Sequence, residues 1–133
     1  MSGEILVHVV DDDDAFRGAL ARVLTANGFD ARTYASAGDF LERLEGLDRG
    51  CVITDIHMPG MSGLELLHRL IARTDDFPVI VLTGRANVAM AVDAWKAGAS
   101  DFIEKPFETE TLLDAVRTAL ARLSFDGRLT ASG

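Results

Sequence analysis

ILVHVVDDDD, the stretch at residues 5–14, contains a nearly continuous apolar run that stops abruptly at four consecutive aspartates. The run is rich in β-branched residues, and such a run predicts a strand covered on both faces, as in a parallel sheet. After the aspartates the pattern becomes helical, with Phe16 and Leu20 on one side. Gly28 is expected to end this helix because glycine readily adopts the left-handed conformation beyond a helix C-terminus. The chain therefore begins with a strand and a helix.

The same alternation repeats along the rest of the chain. Four further segments, each followed by a helical pattern, are predicted strands: 29–34, 51–54, 77–82 and 102–103. Five strands that alternate with five helices predict an α/β domain whose parallel sheet lies between two helical layers. Because crossovers between parallel strands are right-handed, the leading topology is a doubly wound five-stranded sheet.

One domain accounts for most of the length of 133 residues, and the 48% hydrophobic content is sufficient for a single core. We expect this domain to occupy residues 1–123. Residues 124–133 contain small polar residues and show no apolar periodicity. They are predicted to form a flexible tail or the start of a linker.

Charge and cysteine content exclude several classes of protein. The formal net charge is −8, and a field of this sign repels a phosphate backbone, so this segment is not expected to bind nucleic acid directly. A single cysteine, Cys51, excludes an internal disulfide, and its apolar neighbours indicate a buried thiol. No apolar stretch approaches the roughly 20 residues of a membrane span, and we expect a cytoplasmic location.

Polar side chains follow four of the five predicted strands. These are Asp11 and Asp12 after the first strand, Asp55 after the third, Thr83 after the fourth and Lys105 after the fifth. The carboxyl ends of parallel strands meet at one edge of a sheet, so these groups are expected together. Two carboxylates about 5 Å apart repel by roughly 3 kcal/mol at an effective dielectric constant near 20, so the cluster requires a cation. A hard ion with oxygen ligands, Mg²⁺, suits such a site.

The chemistry of this edge suits phosphoryl transfer to a carboxylate. Asp55 would be the nucleophile, Mg²⁺ would neutralise its charge, and Lys105 and Thr83 would bind the remaining phosphoryl oxygens. The sequence contains neither a GxxxxGK[ST] loop nor a GxGxxG loop. Phosphate binding by a glycine-rich loop is therefore not expected.

Four motifs of the chain resemble the receiver domain of two-component response regulators, most closely the FixJ type. They are VHVVDDD at 7–13, TDIHMPGMSG at 54–63, LTG at 82–84 and AGASDFIEKPF at 97–107. The resemblance spans about residues 4–123 and implies a flavodoxin-like (CheY-like) (βα)5 fold with helices on both faces of the sheet. It also implies a phosphorylation switch that regulates transcription through an attached or partner output domain.

The resemblance implies the roles of the acidic residues and the lysine. Asp55 resembles the phosphoacceptor, to which a partner histidine kinase donates a phosphoryl group. Asp12 is similar to a direct Mg²⁺ ligand, Asp11 to a ligand through water, and the backbone carbonyl of His57 to the third protein ligand. Lys105 matches the phosphoryl-binding lysine, whose bond to the following proline is cis in the family. Such a domain is not an enzyme; it catalyses only its own phosphorylation and dephosphorylation.

The resemblance also implies how the signal leaves the site. Thr83 is similar to the hydroxyl that moves toward the phosphoryl group, and Phe102 to the switch aromatic that turns inward behind it. Many relatives have a tyrosine at the position of Phe102, so here packing alone would carry the signal. After phosphorylation the face built from the fourth helix, fifth strand and fifth helix, roughly residues 87–123, would pair with an identical face.

Two other functions fit parts of the pattern. A Mg²⁺-dependent phosphatase or phosphotransferase would use the same carboxylates through an aspartyl-phosphate intermediate, but the sequence offers no segment for a cap over a substrate. A flavodoxin-like cofactor binder is disfavoured because carboxylates at the strand ends would repel a flavin phosphate.

Several residues also have structural interpretations. Asp13 and Asp14 are predicted to cap the first helix and to interact with its dipole. The hydroxyl of Thr83 could bond to a nearby backbone group, as strand-end hydroxyls do. His8 is predicted to be a core residue. Trp95, with Val88 and Val92 at helical spacing, is predicted to pack in the core.

Overall fold

The computed structural model describes the backbone of residues 6–74, 76–85 and 87–132, and the side chains among these as far as Leu123. The elements in chain order are β1 (Leu6–Val10), α1 (Asp14–Ala26), β2 (Asp30–Tyr34), α2 (Ala37–Glu42), a short 3₁₀ helix (Leu44–Gly46), β3 (Cys51–Asp55), α3 (Gly63–Arg73), β4 (Val79–Thr83), α4 (Val88–Lys96), β5 (Asp101–Glu104) and α5 (Thr109–Ser132). Ile5, the predicted first residue of β1, lies outside the described residues.

The five strands form one parallel sheet in the order β2-β1-β3-β4-β5. The predicted doubly wound (βα)5 fold is confirmed. The strand order changes direction at β1 and β3, where Val10 pairs with Thr54. Ligand sites of such sheets lie beyond the carboxyl ends of the strands at this point. The fold thus places the ends of β1 and β3 side by side.

Helices cover both faces of the sheet. One apolar cluster joins the sheet to α1 and α5, and the other joins it to α2, α3 and α4. Val9 and Val10 belong to different clusters because consecutive side chains of a strand point to opposite faces. All five residues of β1 and of β4 are buried, as expected for strands between two helical layers.

Helix α1 begins as the sequence predicts. The Asp13 side chain accepts a hydrogen bond from the Phe16 N–H at 3.1 Å, and Asp14 lies in the first turn. A carboxylate at this position satisfies a free backbone donor and interacts favourably with the helix dipole. The third and fourth aspartates of the run therefore build the helix, and the first two remain available to the edge of the sheet.

Helix α4 faces the opposite way from the prediction. Val88, Val92 and Trp95 are 80%, 41% and 51% exposed, so their assignment to the core was wrong. The helix instead packs through a second stripe at helical spacing, in which Ala94 is fully buried and Met90 is partly buried. Both stripes are apolar, and periodicity alone cannot select between them. The buried stripe contains the small side chain of Ala94, and the large side chain of Trp95 lies outside it.

Helix α5 runs past the predicted domain boundary at residue 123, since its backbone continues to Ser132. The side chains beyond Leu123 lie outside the described residues, and the assignment of 124–133 as a tail or linker stays a prediction. None of the helices in the described part of the chain is long and apolar enough to span a membrane.

Candidate functional site

Three carboxylates meet at the ends of β1 and β3. Asp11, Asp12 and Asp55 each offer one oxygen, and these oxygens all lie within 4.8 Å of one another. Asp11 is buried, Asp55 is half-buried and Asp12 is exposed. The sheet register produces the cluster because Val10, the last residue of β1, pairs with Thr54, the residue before Asp55. The structure therefore brings together the three carboxylates that the sequence predicts at this edge of the sheet.

Asp11 has one satisfied and one unsatisfied oxygen. Its Oδ1 accepts a hydrogen bond from the Asp13 N–H at 2.9 Å. Its Oδ2 is buried and has no hydrogen-bond partner among the described residues, although Lys105 Nζ lies 3.7 Å away. Burial raises the pKa of the Asp11 carboxyl, and the Asp13 N–H and the Lys105 ammonium oppose this shift. A buried carboxylate oxygen without a donor is costly, and this one is available as a ligand.

Lys105 lies among these carboxylates. Its Nζ is 3.3 Å from Asp55 Oδ1 and 3.7 Å from Asp11 Oδ2, and its side chain is 26% exposed. The same atom lies over the ring of Phe16, 4.0 Å from the ring centroid. A single ammonium thus opposes the mutual repulsion of the two less exposed carboxylates.

The loop after β5 positions this lysine. The Lys105 N–H donates to the carbonyl oxygen of Thr83 at 2.7 Å, which ties the residue to the end of β4. The Lys105–Pro106 peptide bond is cis, as the resemblance implied. Thr83 itself is buried, and its Oγ1 accepts a hydrogen bond from the Arg85 N–H at 3.1 Å. The hydroxyl therefore has the backbone bond that its structural interpretation requires.

The other predicted site residues lie on a loop and a strand of the same sheet. His57 is exposed and lies two residues beyond Asp55, in the loop that leads to α3. Phe102 is half-buried on β5, opposite Val81 of β4, and packs against the cluster under α2, α3 and α4. It therefore belongs to the same packed cluster as Ala94 of α4.

The structure adds residues that the sequence analysis did not assign to the site. Arg17 donates from Nη1 to the Asp11 carbonyl oxygen at 2.6 Å and forms an ion pair with Asp14. Gly63 begins α3 against the backbone of β3, where a methyl group would collide with the Asp55 carbonyl and lie 2.9 Å from Ile56 Cα. A glycine directly before an apolar helix is a signal for such a close approach. Phe16 gave no comparable signal.

The donor set fits a hard cation. It consists of three carboxylate oxygens, and it includes the buried Asp11 oxygen that no donor satisfies. Oxygen ligands of this number, completed by water, match the preferences of Mg²⁺. The acidic cluster can therefore bind a metal ion.

Comparisons with known proteins agree with this arrangement. Residues 7–117 match the family model described as response regulator receiver domain. The chain is 48% identical over 128 residues to the transcriptional regulatory protein FixJ of Azorhizobium caulinodans, covering 96% of this chain and 61% of that protein. It is 43% identical over 125 residues to the C4-dicarboxylate transport transcriptional regulatory protein DctR of Rhodobacter capsulatus, covering 92% of this chain and 62% of that protein.

The fold is also similar to solved structures. The crystal structure of FixJ-N matches with a TM-score of 0.82 and 46% identity, covering 87% of this chain and 93% of that chain. The chain spans about three fifths of the length of the curated relatives that it matches.

Proposed function

Because the chain belongs to the response regulator receiver domain family, whose members act in phosphorylation-dependent signalling, we propose that Asp55 is the residue that accepts the phosphoryl group. The observation that carries this proposal is the position of Lys105 Nζ, 3.3 Å from Asp55 Oδ1 and 3.7 Å from Asp11 Oδ2. The resemblance inferred from four motifs is confirmed at the level of the family. A receiver domain of a transcriptional regulator is not an enzyme in the ordinary sense.

Asp12 and Asp55 would hold Mg²⁺ through their carboxylates, Asp11 would hold it through water, and the His57 backbone carbonyl would complete the protein ligands. Bound there, Mg²⁺ would supply positive charge against the Asp55 carboxylate and the phosphoryl oxygens. Asp11 is prepared for this role because the Asp13 N–H orients one of its oxygens and leaves the other without a donor.

The transfer itself is a displacement at phosphorus. An Asp55 carboxylate oxygen forms a bond to the phosphorus of a phosphohistidine, the P–N bond breaks, and its electron pair stays on the imidazole nitrogen of the donor. Lys105 binds one of the phosphoryl oxygens as a compact point charge. Water later attacks the phosphorus, which releases phosphate and restores the carboxylate. Catalysis of both steps lies within the domain.

The output is a shift between two conformations. To bind a phosphoryl oxygen, the Thr83 hydroxyl would move from its place beside the Arg85 N–H, and this movement would open space toward Phe102. The ring would then turn inward and alter the surface of α4 and β5. Exposed apolar side chains of α4, Val88, Val92 and Trp95, support a role of the face over residues 87–123 in pairing with a second copy.

The phosphoryl donor and the output of the protein lie outside this domain. The proposed donor is a sensor histidine kinase, and the proposed output is the regulation of transcription through an attached or partner domain. FixJ and DctR are named transcriptional regulatory proteins, which supports this output. The net charge of −8 supports an output through protein contacts instead of direct nucleic-acid binding by this segment. A cytoplasmic location stays a prediction.

The test uses Mg²⁺ and a small phosphodonor, acetyl phosphate, with intact-mass detection. We expect one phosphoryl group per chain, stable in acid, labile in base, and lost in Asp55→Asn. Asp114→Asn, which alters an exposed aspartate of α5, is the matched control and should be phosphorylated normally. Continuous turnover on a phosphomonoester, without a stable adduct, would contradict the switch and favour the phosphatase.

A further inference from the structure

Phe16 has no part in the function proposed above, yet its ring contacts the lysine of the site. Lys105 Nζ lies over this ring at 4.0 Å from the centroid, well within the roughly 6 Å at which an ammonium and an aromatic face attract each other. The following inference rests on the proposed roles of Asp55 and Lys105.

Three groups surround the Lys105 ammonium at short range. They are Asp55 Oδ1 at 3.3 Å, Asp11 Oδ2 at 3.7 Å and the Phe16 ring at 4.0 Å. A lysine side chain has a flexible four-carbon stem, so holding its end in one place reduces its rotamer freedom. Each of the three groups contributes to that restraint. The ring is the one of the three that carries no charge.

Phe16 is itself held from two directions. Its backbone N–H donates to the Asp13 carboxylate at the start of α1. Its side chain lines an apolar groove of about 140 Å³ between α1 and α5, with Leu20, Val23, Phe107 and Leu112 among its neighbours. Phe107 follows Lys105 by two residues, so the groove connects the loop of the lysine with the helix of the ring. The ring is therefore half-buried, and its packing in this groove restricts its movement.

We propose that Phe16 is a positioning residue that holds the Lys105 ammonium beside Asp55 for the incoming phosphoryl group. An aromatic face suits this task better than the alternatives. A carboxylate in its place would add a fourth negative charge that repels the phosphoryl group, and it would occupy an N–H donor. The ring attracts the cation and leaves its N–H groups free for phosphoryl oxygens.

The attraction between the ring and the Lys105 ammonium should persist when the carboxylates bind a cation. A cation that binds Asp11 and Asp55 reduces the attraction of both carboxylates for the ammonium. The contact with Phe16 lies outside the carboxylate cluster and is unaffected by that loss. Orientation of Lys105 by the ring therefore matters most in the metal-loaded state, in which the phosphoryl group arrives.

The first measurement is the affinity for beryllofluoride, a phosphoryl analogue, in the presence of Mg²⁺ by calorimetry. We expect Phe16→Leu to weaken binding by about threefold to tenfold, since leucine keeps the apolar volume but has no aromatic face. Phe16→Tyr keeps the face and should bind within about twofold of the original. Ile71→Ala, which removes apolar volume from an exposed position of α3 outside this groove, should leave the affinity unchanged.

A double-mutant cycle separates positioning from packing. In a Lys105→Met background, Phe16→Leu should produce no further loss of beryllofluoride affinity, because the ring acts through the ammonium. A second measurement does not depend on phosphorylation. The chain has two lysines, and the ε-methylene proton resonances of Lys105 should lie upfield of those of exposed Lys96 and lose this shift in Phe16→Leu.

The outcomes distinguish this inference from the function on which it rests. If the original protein shows no beryllofluoride binding that depends on Asp55, the proposed function fails, and the role of Phe16 fails with it. If that binding is present but Phe16→Leu binds as well as the original, the positioning role is overturned and the proposed function stands. A loss that persists in the Lys105→Met background also overturns the positioning role.

Discussion

The Lys105 ammonium lies 3.3 Å from the Asp55 carboxylate, although β4 separates the strands that carry these residues to the site. The lysine bridges this gap because its N–H is bonded to the Thr83 carbonyl at the end of β4 and its side chain is long. In this position it attracts both Asp55 and Asp11. The ammonium and a metal ion therefore share the same carboxylates.

Loss of this ammonium should strengthen metal binding. Lys105→Met removes a positive charge that competes with Mg²⁺, and we expect the affinity for Mg²⁺ to rise by about tenfold, or about 1.4 kcal/mol. Phosphorylation of Asp55 should nevertheless become slower. A Mg²⁺ titration by calorimetry measures the first effect. Lys96→Met, on exposed α4, is the control, and equal affinities in the two variants would refute the competition.

Mg²⁺ should raise the melting temperature because it relieves the repulsion among the three carboxylates. At a concentration of about 100 times its Kd, a ligand of the folded state adds about 2.7 kcal/mol to the free energy of unfolding. Asp12→Asn should stabilise the metal-free protein and reduce the gain on adding Mg²⁺. Thermal unfolding with and without Mg²⁺ tests both points, with Asp93→Asn on exposed α4 as control. A melting temperature that does not change with Mg²⁺ would contradict the proposed relief of repulsion among the three carboxylates.

A methyl group at Gly63 should disturb the site through the backbone. Gly63→Ala would press against the Asp55 carbonyl and Ile56 Cα, so we expect a loss of about 1–3 kcal/mol in stability and slower phosphorylation of Asp55. Denaturant unfolding and the intact-mass assay measure these effects. Gly46→Ala, whose added methyl would meet no described atom within 4 Å, should leave both quantities nearly unchanged. Similar behaviour of the two variants would contradict the close approach.

His8 should make the stability sensitive to acid. Its Nε2 lies 3.0 Å from the Asp48 carbonyl and its Nδ1 lies 2.9 Å from the Tyr34 hydroxyl. Burial is the main reason that the pKa of His8 lies below the ordinary value of 6.5. The unfolded chain therefore binds a proton at a higher pH than the folded chain does. The contribution of His8 is present above pH 6.5 and is lost as the pH falls toward the lower folded pKa.

Unfolding free energies between pH 7.5 and pH 5, read from denaturant titrations, measure this effect. We expect a slope from His8 of up to about 1.4 kcal/mol per pH unit. His8→Gln can keep both hydrogen bonds without titrating, so it should flatten the slope even where it lowers the stability. His68→Gln, in an exposed position of α3, should retain the original slope. An unchanged slope in His8→Gln would rule out this origin.

The exposed stripe of α4 should become buried when the protein is phosphorylated. Trp95 is 51% exposed, and we expect its fluorescence emission to move to shorter wavelength as a dimer forms. Val92→Asp should weaken the dimer by about tenfold or more while leaving phosphorylation of Asp55 intact. Sedimentation velocity detects the association. Thr25→Asp, on the exposed side of α1, is the control, and equal dimerisation of the two variants would exclude this stripe from the interface.

Local patterns of the sequence were sufficient for most of the fold. The strands are short, four of the five are followed by polar side chains at their carboxyl ends, and the rule for parallel sheets then brings those ends to one edge. The cap at Asp13 was equally predictable because it involves residues within one helical turn. The orientation of α4 was not, since Trp95 and Ala94 lie on two competing apolar stripes. Which of the two stripes faces the sheet depends on how the helix packs against it.

The sequence by itself determined which groups meet at the edge of the sheet: three carboxylates, a hydroxyl and a lysine. These groups meet because each follows a strand, and the alternation of strands and helices makes those strands parallel. Only the tertiary structure decided how they meet, with one Asp11 oxygen left without a donor and the Lys105 ammonium over the Phe16 ring. The physical reason is that burial and side-chain contacts between α1 and the loop after β5 depend on how those elements pack, and no local pattern encodes that packing.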